Sequence, residues 1–479
     1  MVANWIKLDV LLLSLADMHD ETSQEKDYSV NQTAMPPLGL LYLAQVLINN
    51  GYDVTVYDQN VTGVKNSALM KKLVQKLDPK LVGFSVCMHN YFTTADMIQR
   101  LKAWNPNVIT VAGNYTATFY PEQLMNAAQI DYCMRGESEY NFLDLVNQLF
   151  KQKHDLSEIK GLVYRHNGIF KSSPIPPNIP ELDRLPIPDR KLIDFNYKLQ
   201  QKSTSIMTSR GCPYQCRFCY FVSVMGKKWR SRSVENIITE MQLLKEQGYK
   251  DVIFGDSNFN LSKKRTLKLC ALMRKEGLDE MAYSGDARVD GINYEVLRAL
   301  RSVNFGKVLF GIESGNQRIL DYYKKGITLD QIQRAVKTAK KAQLDIIFGS
   351  FIVGATDETK DEVINTLKFA DKLDLSYATF QILSTIPIST IYQEIVDKGW
   401  YTPQKNDWKG WLFVANISPK AVPMRTLEKL INEGFIQFWK NRKRLFRFIW
   451  NSLLNDTYLN TIIHNFRDTI HHGRNTNEN

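Results

Sequence analysis

Three of the chain's six cysteines, Cys212, Cys216 and Cys219, fall within eight consecutive positions. They occupy the run Thr208-Ser-Arg-Gly-Cys-Pro-Tyr-Gln-Cys-Arg-Phe-Cys-Tyr220, spaced C-x3-C-x2-C. A disulfide framework spreads its cysteines along a chain, whereas thiols crowded together in a reducing compartment more often hold metal. Three thiolates on one tight loop can ligate three irons of a cubane cluster and leave the fourth iron without a protein ligand. Catalytic metal sites keep such an open position and structural ones close it. Zinc is the competing reading. It wants a fourth ligand, and no other His or Cys lies close by in sequence, although a distant one could fold in.

The cysteine loop follows the first strand of a βα series. Its candidate strands are Ser205–Thr208, Asp251–Phe254, Met281–Ser284, Lys307–Gly311, Asp345–Val353 and Tyr377–Ile382. Six βα units predict an open, partial (β/α)6 barrel of TIM type, with catalytic groups on the loops after the strands. The first 150 residues also alternate short apolar runs with helical patterns. Candidate strands there are Asp9–Leu15, Val54–Asp58, Leu81–Val86, Val108–Ala112 and Ile130–Met134. This α/β pattern predicts a Rossmann-like, doubly wound sheet whose ligand sits beyond the strands' carboxyl ends. The segments at that rim are Asp58–Gly63, Ser85–Asn90, Gly113–Thr116 and Arg135–Glu137. Six prolines between Ser172 and Pro188 argue for an extended connector. The expected layout is therefore a first domain over 1–150, a connector over 151–195, a barrel over 196–400 and a helical region over 401–479.

At 479 residues, 44% hydrophobic and 23% charged, the chain is globular in composition and long enough for two or three domains. A disordered tail protein, a collagen-like fibre and a disulfide miniprotein are excluded. The net charge of +11 is a mild bias toward anionic partners. No run approaches the ~20 apolar residues of a membrane-spanning helix, and the amino terminus lacks a basic region ahead of its apolar run. A cytoplasmic location is expected. Beyond Trp400, Phe435, Phe438, Trp439, Phe446, Ile449, Trp450 and Leu453 recur near helical spacing around the cationic run Lys440–Arg447. One reading packs this aromatic face on the barrel with its cations in water; the other makes it a peripheral membrane or hydrophobic-substrate element.

Cys212, Cys216, Phe218 and Cys219 resemble the CxxxCxΦC motif of the radical S-adenosylmethionine (SAM) enzymes, Φ being aromatic. The resemblance implies a 4Fe–4S cluster whose open iron chelates SAM, and an electron from the cluster that cleaves it to a 5′-deoxyadenosyl radical. Downstream segments fit the family in order. Phe254–Phe259 (FGDSNF) stands where the family contacts the methionine amino group, bringing in Gly255, Asp256 and Ser257 in place of the usual Gly-Gly-Glu. Glu313, in Gly311-Ile-Glu-Ser-Gly315, matches the acidic residue facing the ribose hydroxyls. Gly349-Ser-Phe-Ile-Val-Gly354 with Glu358 resembles the GxIxGxxE element beside adenine, which assigns Gly349 and Ile352 to SAM.

The amino-terminal domain resembles the cobalamin-binding members of that family, through Met35–Ala44, Gly51–Asp58, Val82–Ser85, Val111–Gly113 and Asp131–Glu137. The likeness covers about residues 8 to 400. Against the fingerprint DxHxxG, SxL and GG, the chain has Asp58, Asn60 and Gly63, then Ser85 with Cys87, then Gly113 and Asn114. Asn60 replaces the histidine, so that motif supplies no lower axial imidazole. A Rossmann-like domain that has kept its fold and lost the cofactor is the competing reading. His89 and Tyr115 lie on the same rim without an assigned role.

The resemblance implies a cobalamin-dependent methyltransferase acting on an unactivated carbon of a small-molecule, lipid or peptide substrate, with a reductase, flavodoxin or ferredoxin as electron donor. Ring contraction, cyclisation or oxidation is the runner-up. A corrinoid- and cluster-based sensor is the reading from another class, and a sensor needs no nucleoside-binding rim. A tRNA methylthiotransferase would carry a second three-cysteine cluster, and the amino-terminal domain holds only Cys87 and Cys133. No nucleic-acid partner is expected.

Overall fold

The computed structural model describes residues 8–15, 35–59, 67–88, 90–151, 155–193, 203–400 and 421–453. Asn60, Gly63 and His89 lie outside them. The chain divides into two compact units, Met1–Gln201 and Lys202–Asn479.

In the first unit, β1 (Val10–Ser14), β2 (Val54–Asp58), β3 (Leu81–Ser85), β4 (Ile109–Gly113) and β5 (Tyr132–Met134) form a parallel sheet. The spatial order is β2-β1-β3-β4-β5, so the chain reverses direction of growth between β1 and β3. The apolar run Val10–Leu13 in β1 is buried on both faces, as in parallel sheets generally.

The connector departs from expectation. Residues 162–172 form a hairpin, β6 (Leu162–His166) and β7 (Ile169–Ser172), which extends the sheet antiparallel to β5. Its two-residue turn is Asn167-Gly168, at φ +51° and +77°. Those values suit a type I′ turn, whose backbone twist matches that of paired strands. The proline-rich stretch then returns to the opposite edge, where Ile193 bridges Val56 of β2. Residues 155–193 are thus built into the first sheet's two edges.

In the second unit, β8 (Ser203–Ile206) precedes a short antiparallel ribbon, β9 (Ser209–Arg210) with β10 (Arg230–Ser231). β11 (Asp251–Phe254), β12 (Ala282–Ala287), β13 (Phe305–Glu313), β14 (Ile346–Val353) and β15 (Tyr377–Ile382) complete a six-stranded parallel sheet. Its order, β8-β11-β12-β13-β14-β15, places consecutive strands side by side and leaves β8 and β15 as edges. Burial alternates along β13 and β14. Val308, Phe310, Ile347 and Phe351 face the helices, while Leu309, Gly311, Ser350 and Ile352 on the other face are half-buried. Reciprocal capping boxes, Thr328 with Gln331 and Thr359 with Glu362, start the helices Leu329–Lys341 and Lys360–Lys372 that cover this sheet.

The carboxyl-terminal helices, Met424–Trp439 and Arg442–Leu453, divide the aromatic residues between core and surface. Phe438, Trp439 and Phe448 join the barrel core, with Phe435 against it. Phe446, Ile449 and Trp450 are exposed. The cations are not all in water: Arg444 is buried, donating to Asp371 Oδ1 (2.9 Å) and Asp371 O (2.6 Å), and Arg447 reaches Asp374 (2.9 Å). Among the described residues no helix is long and apolar enough to cross a membrane.

Candidate active site

The cysteine loop is an excursion between β9 and β10. Gly211 enters it at φ +83°, and a Cβ there would stand 2.2 Å from the Lys228 carbonyl, so no other residue fits. Cys212 N–H closes the loop onto Gly226 O at 3.1 Å. Beneath the loop sits Asp256, buried just past the end of β11. Its Oδ1 accepts from Thr208 N (2.6 Å) and Ser209 N (3.1 Å), and its Oδ2 from Thr208 Oγ1 (2.5 Å) and Ser209 Oγ (2.7 Å). Burial raises its pKa and these bonds oppose the rise. Four bonds fill the acceptor capacity of a carboxylate. Asp256, expected against SAM, is therefore committed to the base of the loop, while its neighbours Gly255 and Ser257 are exposed.

The far side of the loop is anchored through Arg217. Its N–H donates to Tyr323 O (2.9 Å), its carbonyl accepts from Ile391 N (3.3 Å) and Thr390 Oγ1 (3.1 Å), and its guanidinium pairs with Glu394 over the Tyr322 ring. Phe218 meets Tyr323 edge-on at 5.2 Å. Ile352 joins Phe218 beside the same small core of Ile319, Tyr323, Ala355 and Leu383, so these two predicted residues are brought together.

The three thiols are free and half-buried. Burial pushes Cys216 and Cys219 up, and Lys325 and Arg288 draw Cys216 back down. Arg288, just past the end of β12, is buried with Nη1 3.9 Å from Cys216 Sγ. Its guanidinium lies 3.5 Å from the centre of the Tyr214 ring, is held by both oxygens of Asp290 at 3.0 Å, and donates to Lys325 O at 2.7 Å. Lys325 Nζ pairs with Glu313 Oε1 at 2.6 Å, both side chains buried, and lies 5.8 Å from the Phe218 ring centre. Glu313 itself has φ +68°, an uncommon backbone state for a side chain that large. A Cβ on Gly311 would come within 2.7 Å of Glu313 Oε1 and 2.8 Å of Lys325 Nζ; the glycine makes room for the pair.

Gly349 lies inside β14, where a Cβ would meet Leu375 Cδ1 at 2.7 Å and Ile312 Cδ1 at 3.0 Å. The structure places it on the helix-packed face, away from the half-exposed one. Glu358 is buried; its Oε2 accepts from Gly354 N (2.5 Å) and Ala355 N (3.1 Å), its Oε1 has no partner, and burial pushes it up to about 7. Arg288, Lys325, Tyr214 and Asp290 escaped the sequence reading. The available signal was position: ARVD lies at the carboxyl end of β12, and KKG follows the short helix Gln317–Tyr322 in the connection after β13.

The thiol set fits a cubane cluster. A cubane spreads its thiolates over different irons, which three free, half-buried thiols on one loop allow. In the first unit, Ser85 and Gly113 end β3 and β4 in register. Asn114, at φ +74°, donates to Ser85 Oγ (3.1 Å) and approaches Cys87 Sγ (3.9 Å). That φ explains why glycine suits the position and why asparagine is its usual substitute. A Cβ on Gly113 would meet nothing within 4 Å, leaving room for a ligand to approach the backbone. Asn90 ties the switch point together: its Oδ1 accepts from Cys87 N (2.9 Å), and its Nδ2 donates to Ser85 O (3.0 Å) and Leu15 O (3.2 Å). Asp58 is buried at the end of β2. These residues fit the tail of a corrinoid.

The family model of the radical SAM superfamily matches residues 206–370, and that of the B12 binding domain matches residues 30–146. A Pyrococcus horikoshii protein described as an uncharacterized methyltransferase is 36% identical over 426 residues, covering 87% of this chain and 91% of that one. An anaerobic magnesium-protoporphyrin IX monomethyl ester cyclase of Rubrivivax gelatinosus is 26% identical over 422 residues, covering 85% of this chain and 74% of the relative. Among solved structures, the radical SAM methyltransferase TsrM of Kitasatospora setae is similar in fold, with a TM-score of 0.70 at 19% identity over 81% of this chain and 76% of that one. With both family models matched in order along one chain, and a relative this similar over most of its length, the protein belongs to the cobalamin-binding radical SAM enzymes, whose cofactors are a 4Fe–4S cluster, SAM and cobalamin.

Proposed function

We propose that this enzyme transfers a methyl group to an unactivated carbon of a small-molecule, lipid or peptide substrate. The observation that carries the reading is the presence, in one chain, of three free thiols on a doubly anchored loop and an open polar rim at the switch point of a doubly wound sheet. The Pyrococcus relative described as a methyltransferase supports it. With cofactors bound, the cluster supplies the electron that cleaves SAM and the corrinoid supplies the methyl group.

The chain's own residues bind and orient. Cys212, Cys216 and Cys219 hold the cluster. Phe218 and Ile352 give the site an apolar wall that excludes water. Glu313, steadied by Lys325, accepts from the ribose hydroxyls, for which a carboxylate has the capacity. Gly255 and Ser257 receive the methionine end of SAM. Ser85, Gly113 and Asn114 line the corrinoid's nucleotide tail. A flavodoxin or ferredoxin is the proposed electron donor.

The test is anaerobic reconstitution with iron, sulfide and hydroxocobalamin, followed by SAM and reduced flavodoxin. Release of both S-adenosylhomocysteine and 5′-deoxyadenosine is expected. 5′-Deoxyadenosine with no S-adenosylhomocysteine and no methylated corrinoid would overturn methyl transfer in favour of cyclisation or oxidation. Replacing all three cysteines by Ala should remove the cluster's about four irons and end SAM cleavage.

A further inference from the structure

The helix Arg442–Leu453 has two unlike faces. Leu445 and Phe448 pack into the barrel core, with Phe448 stacked on Tyr377 at 5.7 Å, and Arg444 is buried against Asp371. The opposite face carries Phe446, Ile449 and Trp450, which are 68%, 46% and 57% exposed. Their spacing of three and four residues puts them on one stripe. The rings of Phe446 and Trp450 stack with centroids 6.3 Å apart. Ile436, on the preceding helix, is 58% exposed. Of the ten large hydrophobic side chains exposed among the described residues, these four fall within fifteen positions. Isolated exposed hydrophobics need no explanation; a local concentration does.

The surroundings are strongly positive. Lys440, Arg442 and Lys443 are exposed beside the stripe. Beneath them, among the described residues, Arg444 pairs with Asp371, and Arg447 and Lys340 share Asp374. Lys340 is pulled down to about 8, first by burial and then by the charges of Arg447 and Arg444. An apolar protein groove would accept the rings without calling for the cations. Aromatic rings flanked by lysine and arginine on a short helix fit the boundary between anionic headgroups and acyl chains, where the rings enter and the cations meet phosphate.

We propose that the face formed by Phe446, Ile449 and Trp450, with Lys440, Arg442 and Lys443, docks the enzyme on an anionic lipid surface. This does not depend on which reaction the enzyme catalyses.

The experiment is co-sedimentation of the full chain with vesicles of phosphatidylcholine alone or mixed with phosphatidylglycerol. Binding is expected only to the mixed vesicles, and it should be lost at high salt. Two variants, Phe446→Ser with Trp450→Ser, and Lys440→Gln with Arg442→Gln and Lys443→Gln, should each weaken it about tenfold or more. All the substituted residues are exposed, so iron content after reconstitution and the circular dichroism spectrum should not change. Failure to bind mixed vesicles, or equal binding to both kinds, would overturn the proposal. So would full binding by the two variants. Retention of tRNA in place of lipid would assign the face to nucleic acid, and a dimer on sizing that the aromatic variant dissolves would assign it to self-association; either result also overturns it.

Discussion

Nη1 of Arg288 stands 3.9 Å from Sγ of Cys216, so a buried cation faces one of the three thiols proposed to hold the cluster. Positive charge and hydrogen bonds near a ligating sulfur favour the more negative, reduced cluster. Asp290 offsets part of that charge. Arg288→Gln should therefore lower the cluster's midpoint potential while iron content stays at about four per chain. A redox titration followed by electron paramagnetic resonance measures it; an unchanged potential removes Arg288 from the cluster's environment.

Asp256 makes a graded prediction. In Asp256→Asn the amide oxygen can keep both backbone N–H donors, and the two hydroxyls can turn to accept from the new NH2 group. Asp256→Ala leaves two buried backbone donors without partners. The alanine variant should lose about 2–4 kcal/mol of unfolding free energy and the asparagine variant about 1 kcal/mol. Denaturant titration of the unloaded protein gives both values. Equal losses would show that Asp256 acts only by filling space.

The Glu313 proposal is tested through SAM affinity. Glu313→Gln has one accepting oxygen and no charge to pair with Lys325. Equilibrium dialysis should show weaker SAM binding with the cluster retained. If the dissociation constant does not move, Glu313 is not in the nucleoside site.

Glu358 predicts a pH signature. Its folded-state pKa is raised from 4.5 to about 7 by burial, so its favourable contribution is full below about 4.5 and lost as pH rises through 7. Glu358→Gln keeps an oxygen for Gly354 and Ala355 and cannot ionise. Relative to this variant, the native chain should lose stability between pH 5 and pH 8. Parallel stability curves for the two proteins would contradict the assignment.

For the corrinoid, Asn60 in the place of histidine predicts cobalt without a protein imidazole and with the corrinoid's own base displaced. The cob(II)alamin form bound to the chain should give an electron paramagnetic resonance spectrum free of axial-nitrogen splitting. Observed nitrogen splitting would refute this.

Val54–Asp58, Asp251–Phe254 and Tyr377–Ile382 were legible to the residue because each is a short run rich in β-branched and aromatic residues set between helical patterns. The β6–β7 hairpin was overlooked although Asn167-Gly168 is a strong turn signal, because its strand residues are mostly exposed and the prolines that follow suggested open chain. The thiols were legible because their chemistry is local. Arg288 and Lys325 were not, since a cation in a loop reads as a solvated side chain until the fold buries it against Cys216 or Glu313. Motif likeness also could not tell that Asp256 faces the loop's base, or that Gly349 faces helices; both depend on which way a strand residue points.

The anchoring of Arg217 has a mechanical meaning. It belongs to the loop after β8, one edge of the open barrel, and grips Glu394, Thr390 and Ile391 in the segment that follows β15, the other edge. The thiol loop thus works as a clasp across the barrel's gap, joining positions 177 residues apart. A ligand that binds only the closed loop adds its binding free energy to the clasp. Loading iron and sulfide should then protect amides of both edge strands from hydrogen exchange, and oxygen damage at the thiols would be transmitted as a loosening of the whole barrel mouth.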